Sequence, residues 1–206
     1  RNIQRTEASV ADGLAKFDQF LNMAEEAGIY VHPTGPDHWE GMPHWRPQDL
    51  AGDEDSLAAL ETFWRLFASR YRGRSVIFAY DLRNEPAVPW DTSEMRGKWN
   101  AWLQKQYASA DELGKAWSVS PDAIRWGEHP PPAAKDTPGS RSLLDYQRFR
   151  EELADQWTRR QVAAIKSADP AALVTVGFIQ WSVPALLPGV QQYSGFRPER
   201  HAPLLA

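Results

Sequence analysis

Cysteine is absent from the 206 residues, which removes disulfide staples and thiolate metal sites from consideration. It leaves the compartment open, because a cytoplasmic protein and a bacterial secreted one can both lack thiols. No apolar run approaches the roughly 18–20 residues needed to span a bilayer, and the chain opens Arg1-Asn2-Ile3-Gln4 with no apolar signal core behind it. No membrane partner is expected. Lys and Arg do not gather into a tract, and the formal net charge is -4, so no basic face is offered to a nucleic acid. Gly-rich phosphate loops are missing too. Gly28 and Gly73 stand before β-prone runs rather than after them, which gives a nucleotide cofactor no support. Disorder is also a poor reading for a chain that is 42% hydrophobic and 24% charged.

What is abundant is tryptophan, with 10 Trp beside 6 Tyr and 8 Phe. An indole carries an N–H that needs a partner when buried, so this density points to some rings facing a cleft where a flat apolar ligand such as a sugar stacks. The alternative is that most of them pack between helices.

Periodicity divides the chain into alternating elements. Leu14, Phe17, Leu21 and Ala24 recur at helical spacing after Ser9, a candidate N-cap, and Gly28 follows where a helix ends. Ile29-Tyr30-Val31 is a short β-prone run that opens into the polar, Pro/Gly-rich residues 32–41. From Asp53, Leu57, Leu60, Trp64, Phe67 and Tyr71 mark a second amphipathic helix that stops at Arg72-Gly73. Val76-Ile77-Phe78-Ala79-Tyr80 is continuously apolar, as expected of a parallel strand covered on both faces. Residues 87–140 read as an elaborated loop, with helical pieces at about 98–107 and 110–117 and a segment at His129-Pro130-Pro131-Pro132 that excludes helix. A long helix over about 142–167 ends at Asp169-Pro170, and residues 173–178 form a third strand running out into Gln180-Trp181.

Strands separated by helices return on the same side and pair in parallel, so the class is α/β. Without a phosphate loop, the (β/α)₈ TIM barrel is favoured over the open doubly wound sheet. In either architecture function sits at the C-terminal ends of the strands. Those ends carry His32 with Asp37, His38 and Trp39; Asn84 with Glu85; and Gln180 with Trp181. Imidazoles, an amide, carboxylates and indoles at one rim describe a cleft for polyols. Glycosidases need one carboxylic acid to protonate the leaving oxygen and a second carboxylate to attack the anomeric carbon or activate water. Glu85, placed directly after a buried strand, suits the first role, although Asn84-Glu85-Pro86 alone also reads as a solvated turn. His32, Asp37, His38, Glu40 and His44 are metal-ligand types, but their spacing matches no common ligand pattern, so no metal is expected. His129, beside three prolines, is expected at the surface.

Residues 76–86 resemble the fourth strand of clan A glycoside hydrolases, whose motif ends Asn-Glu-Pro. Gly28-Ile29-Tyr30-Val31 is similar to the third strand of that clan. Trp99-Asn100-Ala101-Trp102-Leu103, with Tyr107, Leu113 and Ala116-Trp117, resembles the insertion after strand four in family 42 β-galactosidases, and residues 144–149 resemble the helix that follows. The related cellulase and mannanase family shares the same motif. The resemblance implies that Glu85 is the general acid/base, that Asn84 contacts the sugar 2-hydroxyl, and that hydrolysis proceeds by a retaining double displacement. An oligosaccharide or polysaccharide substrate is expected, bound with His32, Asp37, His38, Trp39 and Trp181 from their places at the strand ends, and no cofactor is expected. The resemblance also implies a partial barrel domain over residues 1–206, holding about strands three to five and ending near strand six around Leu204-Leu205-Ala206. The nucleophilic Glu would then lie outside the chain, and the remainder of the barrel would be needed for a complete site. Two other readings stay open: a non-catalytic carbohydrate-binding remnant, and metal-dependent hydrolysis centred on residues 32–44.

Overall fold

The computed structural model describes residues 2–36, 54–133, 140–179 and 194–206. Helix α1 (Asn2–Glu26) is followed by α2 (Glu54–Tyr71), strand β1 (Tyr80–Asn84), α3 (Ser93–Gln106), α4 (Ala110–Trp117), a 3₁₀ turn (Pro121–Ala123), α5 (Arg141–Ala168), β2 (Val174–Gly177) and α6 (Pro198–Leu205). Ser9 therefore lies inside α1 rather than capping it. The helix ends where expected: Gly28 takes φ 69°, its N–H donates to Glu25, and the N–H of Ile29 reaches back to the Ala24 carbonyl. That pair of bonds closes the last turn, and only a residue tolerant of positive φ makes it cheaply.

Helices α3, α4 and α5 begin on Thr92, Ser109 and Ser140, whose hydroxyls accept from the N–H of Met95, Glu112 and Leu143. Each satisfies one of the donors left orphaned in a first turn. Helix α2 buries Leu57, Leu60, Trp64, Ala68 and Tyr71 along one stripe, the face that meets α5 and the sheet. Trp64 is fully buried, rests on Tyr80 at a ring separation of 5.9 Å, and donates its indole N–H to Gln161 of α5 at 2.9 Å. One side chain thus joins α2, α5 and β1, with its polar atom satisfied.

The sheet is parallel. β1 pairs with β2 through Tyr80↔Val174, Asp81↔Thr175 and Asn84↔Gly177. On its other edge, the segment around Val31 and Thr34 pairs with Ile77 and Asp81 in isolated parallel bridges. Three parallel segments therefore lie in the order 31–35, 77–84, 174–177. The regular strand runs four residues later than the apolar run at 76–80 suggests. Between the two bridges the central segment spends one more residue than its neighbour, which is a bulge. A second irregularity falls between Asp81 and Asn84. A bulge changes which side chains of a strand share a face, and Phe78, mid-run, is 55% exposed. Tyr80 and Leu82 lie against the helices and Asp81 on the opposite face, beside Thr175.

The insertion after β1 is a small helical layer whose core is aromatic: Trp99 stacks on Trp102 and Trp117 at 5.4 and 6.3 Å. Asp145 of α5 accepts from the Trp117 indole at 2.8 Å and from the Tyr107 hydroxyl at 2.5 Å, fastening this layer to α5. His129 is half-buried rather than at the surface. Its backbone N–H donates to Asn100 Oδ1 at 2.7 Å, its carbonyl accepts from Asn100 Nδ2 at 3.1 Å, and burial lowers its imidazole pKa, with Arg125 adding to the effect. Of the described indoles, Trp64, Trp99, Trp102, Trp117 and Trp157 are buried among the core residues, so these rings serve helix contacts. Leu204 and Leu205, expected near a sixth strand, belong to α6.

Candidate active site at the C-terminal ends of the parallel strands

Glu85 follows directly on β1. Its backbone N–H donates to the Gly177 carbonyl at 2.6 Å, tying it to the end of β2. Its φ is 48°, in the left-handed region where a side chain crowds the backbone. Among the described residues only Glu85 and Ser118 do this without being glycine. Ser118 is a helix C-cap, where αL is routine, whereas Glu85 takes it up at a strand end, where a strained carboxylate is a common mark of function. The residue is half-buried, and Asn84 beside it is exposed.

Gly177 makes this approach possible. A Cβ there would sit 3.2 Å from Asn84 Cα and 3.3 Å from Asn84 Oδ1, so any larger residue would push the Asn84-Glu85 pair away from β2. Gly35 plays a similar part on the other edge: its N–H donates to the Asp81 carbonyl at 2.8 Å, and a Cβ would fall 2.4 Å from the Trp64 ring.

Below this rim lies a polar chain on the face away from the helices. Thr175 Oγ1 donates to Asp81 Oδ1 at 3.1 Å and lies 2.9 Å from His32 Nε2. A hydroxyl has one proton, so if it serves Asp81, the Thr175 oxygen accepts from His32 Nε2–H. Burial pushes the Asp81 carboxyl above its ordinary range. Hydrogen bonds from Thr175 and Thr34, the nearby His32 and the Gly177 backbone pull the other way. His32 thus sits deeper than the rim: its partner Thr175 is two residues before Gly177, about 7 Å along a strand. Its ring remains exposed and meets Phe78 edge-on at 5.7 Å.

Asn84 and Glu85 stand at the end of the central strand segment, tied to Gly177, and His32 lies on the neighbouring segment, against Thr175. Asp37, His38, Trp39 and Trp181, and with them Glu40 and His44, lie outside the described residues. Among the described residues no group of three or more His, Asp and Glu is arranged to hold a metal ion, and no helix is long and apolar enough to cross a membrane. Sequence reasoning misses Asp81 and Thr175. The available signal is a carboxylate and a hydroxyl inside otherwise apolar strand runs, where an unpaired polar group is expensive.

Several solved structures share this fold. The cold-adapted β-galactosidase of Rahnella sp. R3 superposes with a TM-score of 0.67 at 20% identity, covering 78% of this chain and 27% of its own. A family 42 β-galactosidase from G. stearothermophilus gives 0.65 at 17%, covering 79% and 27%. The catalytic domain of a β-amylase from Paenibacillus polymyxa gives 0.68 at 14%, covering 93% and 62%. The fold class is that of TIM-barrel glycoside hydrolases.

Within that class, the profile of glycoside hydrolase family 42, described as beta-galactosidase, matches residues 56–190, and the chain belongs to this family. A β-galactosidase from Arthrobacter sp. is 27% identical over 128 residues, which is 56% of this chain and 18% of the relative. The chain thus spans about a fifth of the curated relative's length and about a quarter of the Rahnella enzyme's.

Proposed function

We propose that these residues form strands three to five, and the insertion after strand four, of a family 42 barrel that hydrolyses β-glycosidic bonds with retention, β-galactosides foremost. Glu85 protonates the departing oxygen in the first displacement and, as carboxylate, activates water in the second. Asn84, exposed beside it, donates to the sugar 2-hydroxyl, and His32, Asp37, His38, Trp39 and Trp181 line the remainder of the subsite. The nucleophile is a carboxylate from a later strand outside the chain, so the rest of the barrel is needed for turnover. The substrate is an oligosaccharide or polysaccharide; no cofactor takes part.

The observation that carries this reading is the left-handed backbone of Glu85 at the end of β1, held by its 2.6 Å bond to Gly177. It pairs strain with a carboxylate at the rim where barrel enzymes work. The test is Glu85→Gln in the full-length protein, assayed by kcat/KM on two β-galactosides. For methyl β-galactoside, whose leaving group needs a proton, a loss of roughly 10²–10⁴ is expected; for the dinitrophenyl glycoside, which departs unaided, the loss should be slight. Equal effects on both substrates would overturn the assignment. Binding of galactosides without turnover by the unaltered protein would favour the carbohydrate-binding remnant.

A further inference from the structure

Arg150, in the middle of α5 and only 1% exposed, points at the loop that follows Glu85. Its Nε donates to the Pro89 carbonyl at 3.3 Å, its Nη2 donates to the Val88 carbonyl, and its Cζ stands 5.0 Å from the centre of the Trp90 ring. One turn earlier on α5, Tyr146 donates its hydroxyl to the Trp90 carbonyl. Three consecutive carbonyls, at 88, 89 and 90, are therefore held by side chains of one helix. A planar guanidinium can serve two neighbouring carbonyls and lie over an indole at once, a geometry that the point charge of lysine does not reproduce. Gly195 closes the other side: a Cβ there would meet Val88 Cγ2 at 3.1 Å and the Arg150 carbonyl at 3.3 Å, and the Val88 N–H donates to Ser194 at 2.7 Å.

Glu85 is thus fixed at its own N–H by Gly177 and, three residues on, by this clamp. Only Pro86 and Ala87 lie between, and proline has a locked φ. A carboxyl on so short a tether has its position set by both anchors.

We propose that Arg150 is a positioning residue for the general acid/base: through the carbonyls of Val88 and Pro89 it sets where the Glu85 carboxyl stands relative to the glycosidic oxygen. The proposal rests on the assignment of Glu85 made above. It concerns placement alone, since Arg150 reaches the loop backbone from the helix layer.

The experiment measures the ratio of kcat/KM for dinitrophenyl β-galactoside to that for methyl β-galactoside, in the full-length protein with Arg150→Met, Arg150→Lys and Tyr146→Phe. The ratio does not depend on how much of a preparation is folded, so simple destabilisation leaves it unchanged. Misplacing a catalytic group by about 1 Å can cost on the order of 10²-fold, and here the cost falls on the substrate that needs protonation. The ratio should rise roughly 10- to 100-fold in Arg150→Met, less in Arg150→Lys and Tyr146→Phe, and Arg150→Met should add nothing in a Glu85→Gln background. If Arg150→Met does not fold, the two milder variants decide. A ratio equal to that of the unaltered protein in every soluble variant overturns the proposal. Failure of Glu85→Gln alone to raise the ratio overturns the acid/base assignment instead, so the two failures are told apart.

Discussion

Replacing Glu85 by glycine should leave the protein more stable than replacing it by alanine, although both changes delete the same carboxyl. At φ 48° any Cβ crowds the neighbouring carbonyl, at about 1–2 kcal/mol. Glycine removes that crowding, but it frees the unfolded chain, which offsets about 0.4–1 kcal/mol. The balance favours glycine by about 0.5–1 kcal/mol. At Asn84, one residue earlier and still within β1, the sign should reverse, because a strand position gives glycine nothing to relieve. The bond from the residue-85 N–H to Gly177 survives both substitutions, so the comparison isolates the backbone. Urea unfolding of the four single variants, in the full-length protein, reads the difference as a shift in midpoint at constant slope. A Glu85→Ala variant as stable as its Glu85→Gly counterpart would show that the left-handed conformation carries no strain, and Glu85 would lose its main structural mark of function.

Two further outcomes follow from the same geometry. Gly35→Ala should destabilise by about 1–3 kcal/mol, since its Cβ would stand 2.4 Å from Trp64 and 2.7 Å from the Leu82 carbonyl; Gly13→Ala, in an open position of α1, should stabilise by about 0.5–1 kcal/mol, and thermal melts that fail to separate the two would refute the contact. Asp81→Asn should flatten part of the pH dependence of stability. Burial raises the folded carboxyl's pKa, so its stabilising protonation is fully present below the unfolded value of about 3.9 and is lost as pH rises through the folded value. The unaltered protein should lose stability relative to Asp81→Asn over that rise, and a difference that stays constant with pH would contradict the burial.

Local chemistry explains why so many element boundaries are legible in the chain itself. A helix end is written in a few adjacent residues: Gly28 and Gly73 take positive φ where the apolar periodicity stops, and α4 covers Ala110–Trp117 as its spacing predicts. Asn84-Glu85-Pro86 is legible for the same reason, being a short motif directly after an apolar run. Sequence places the central strand too early because its apolar residues 76–80 say only that the segment is buried. Where the regular ladder begins is set by residues far away in sequence, Val31 and Thr34 on one side and 174–177 on the other. His32 is expected at the rim for the same reason, and lies deeper because its strand pairs on as far as Thr34. The tryptophans mislead in a different way: composition cannot distinguish an indole that faces a ligand from one that, like Trp64, spends its N–H on a glutamine 97 residues away. Arg150 is hidden for a related cause, an arginine among the apolar positions of α5 whose partners are backbone carbonyls 61 and 62 residues upstream.

The α/β class, the helix ends at Gly28 and Gly73 and the span of α4 are therefore legible in sequence, because each depends on neighbours within a turn or two of chain. The strand register, the bulges that put Asp81 with Thr175 and His32, the strained backbone of Glu85 and the grip of α5 on the loop behind it are settled only by tertiary structure. Such features arise when parallel strands and a covering helix, distant along the chain, must satisfy one another's backbone groups in the same small volume.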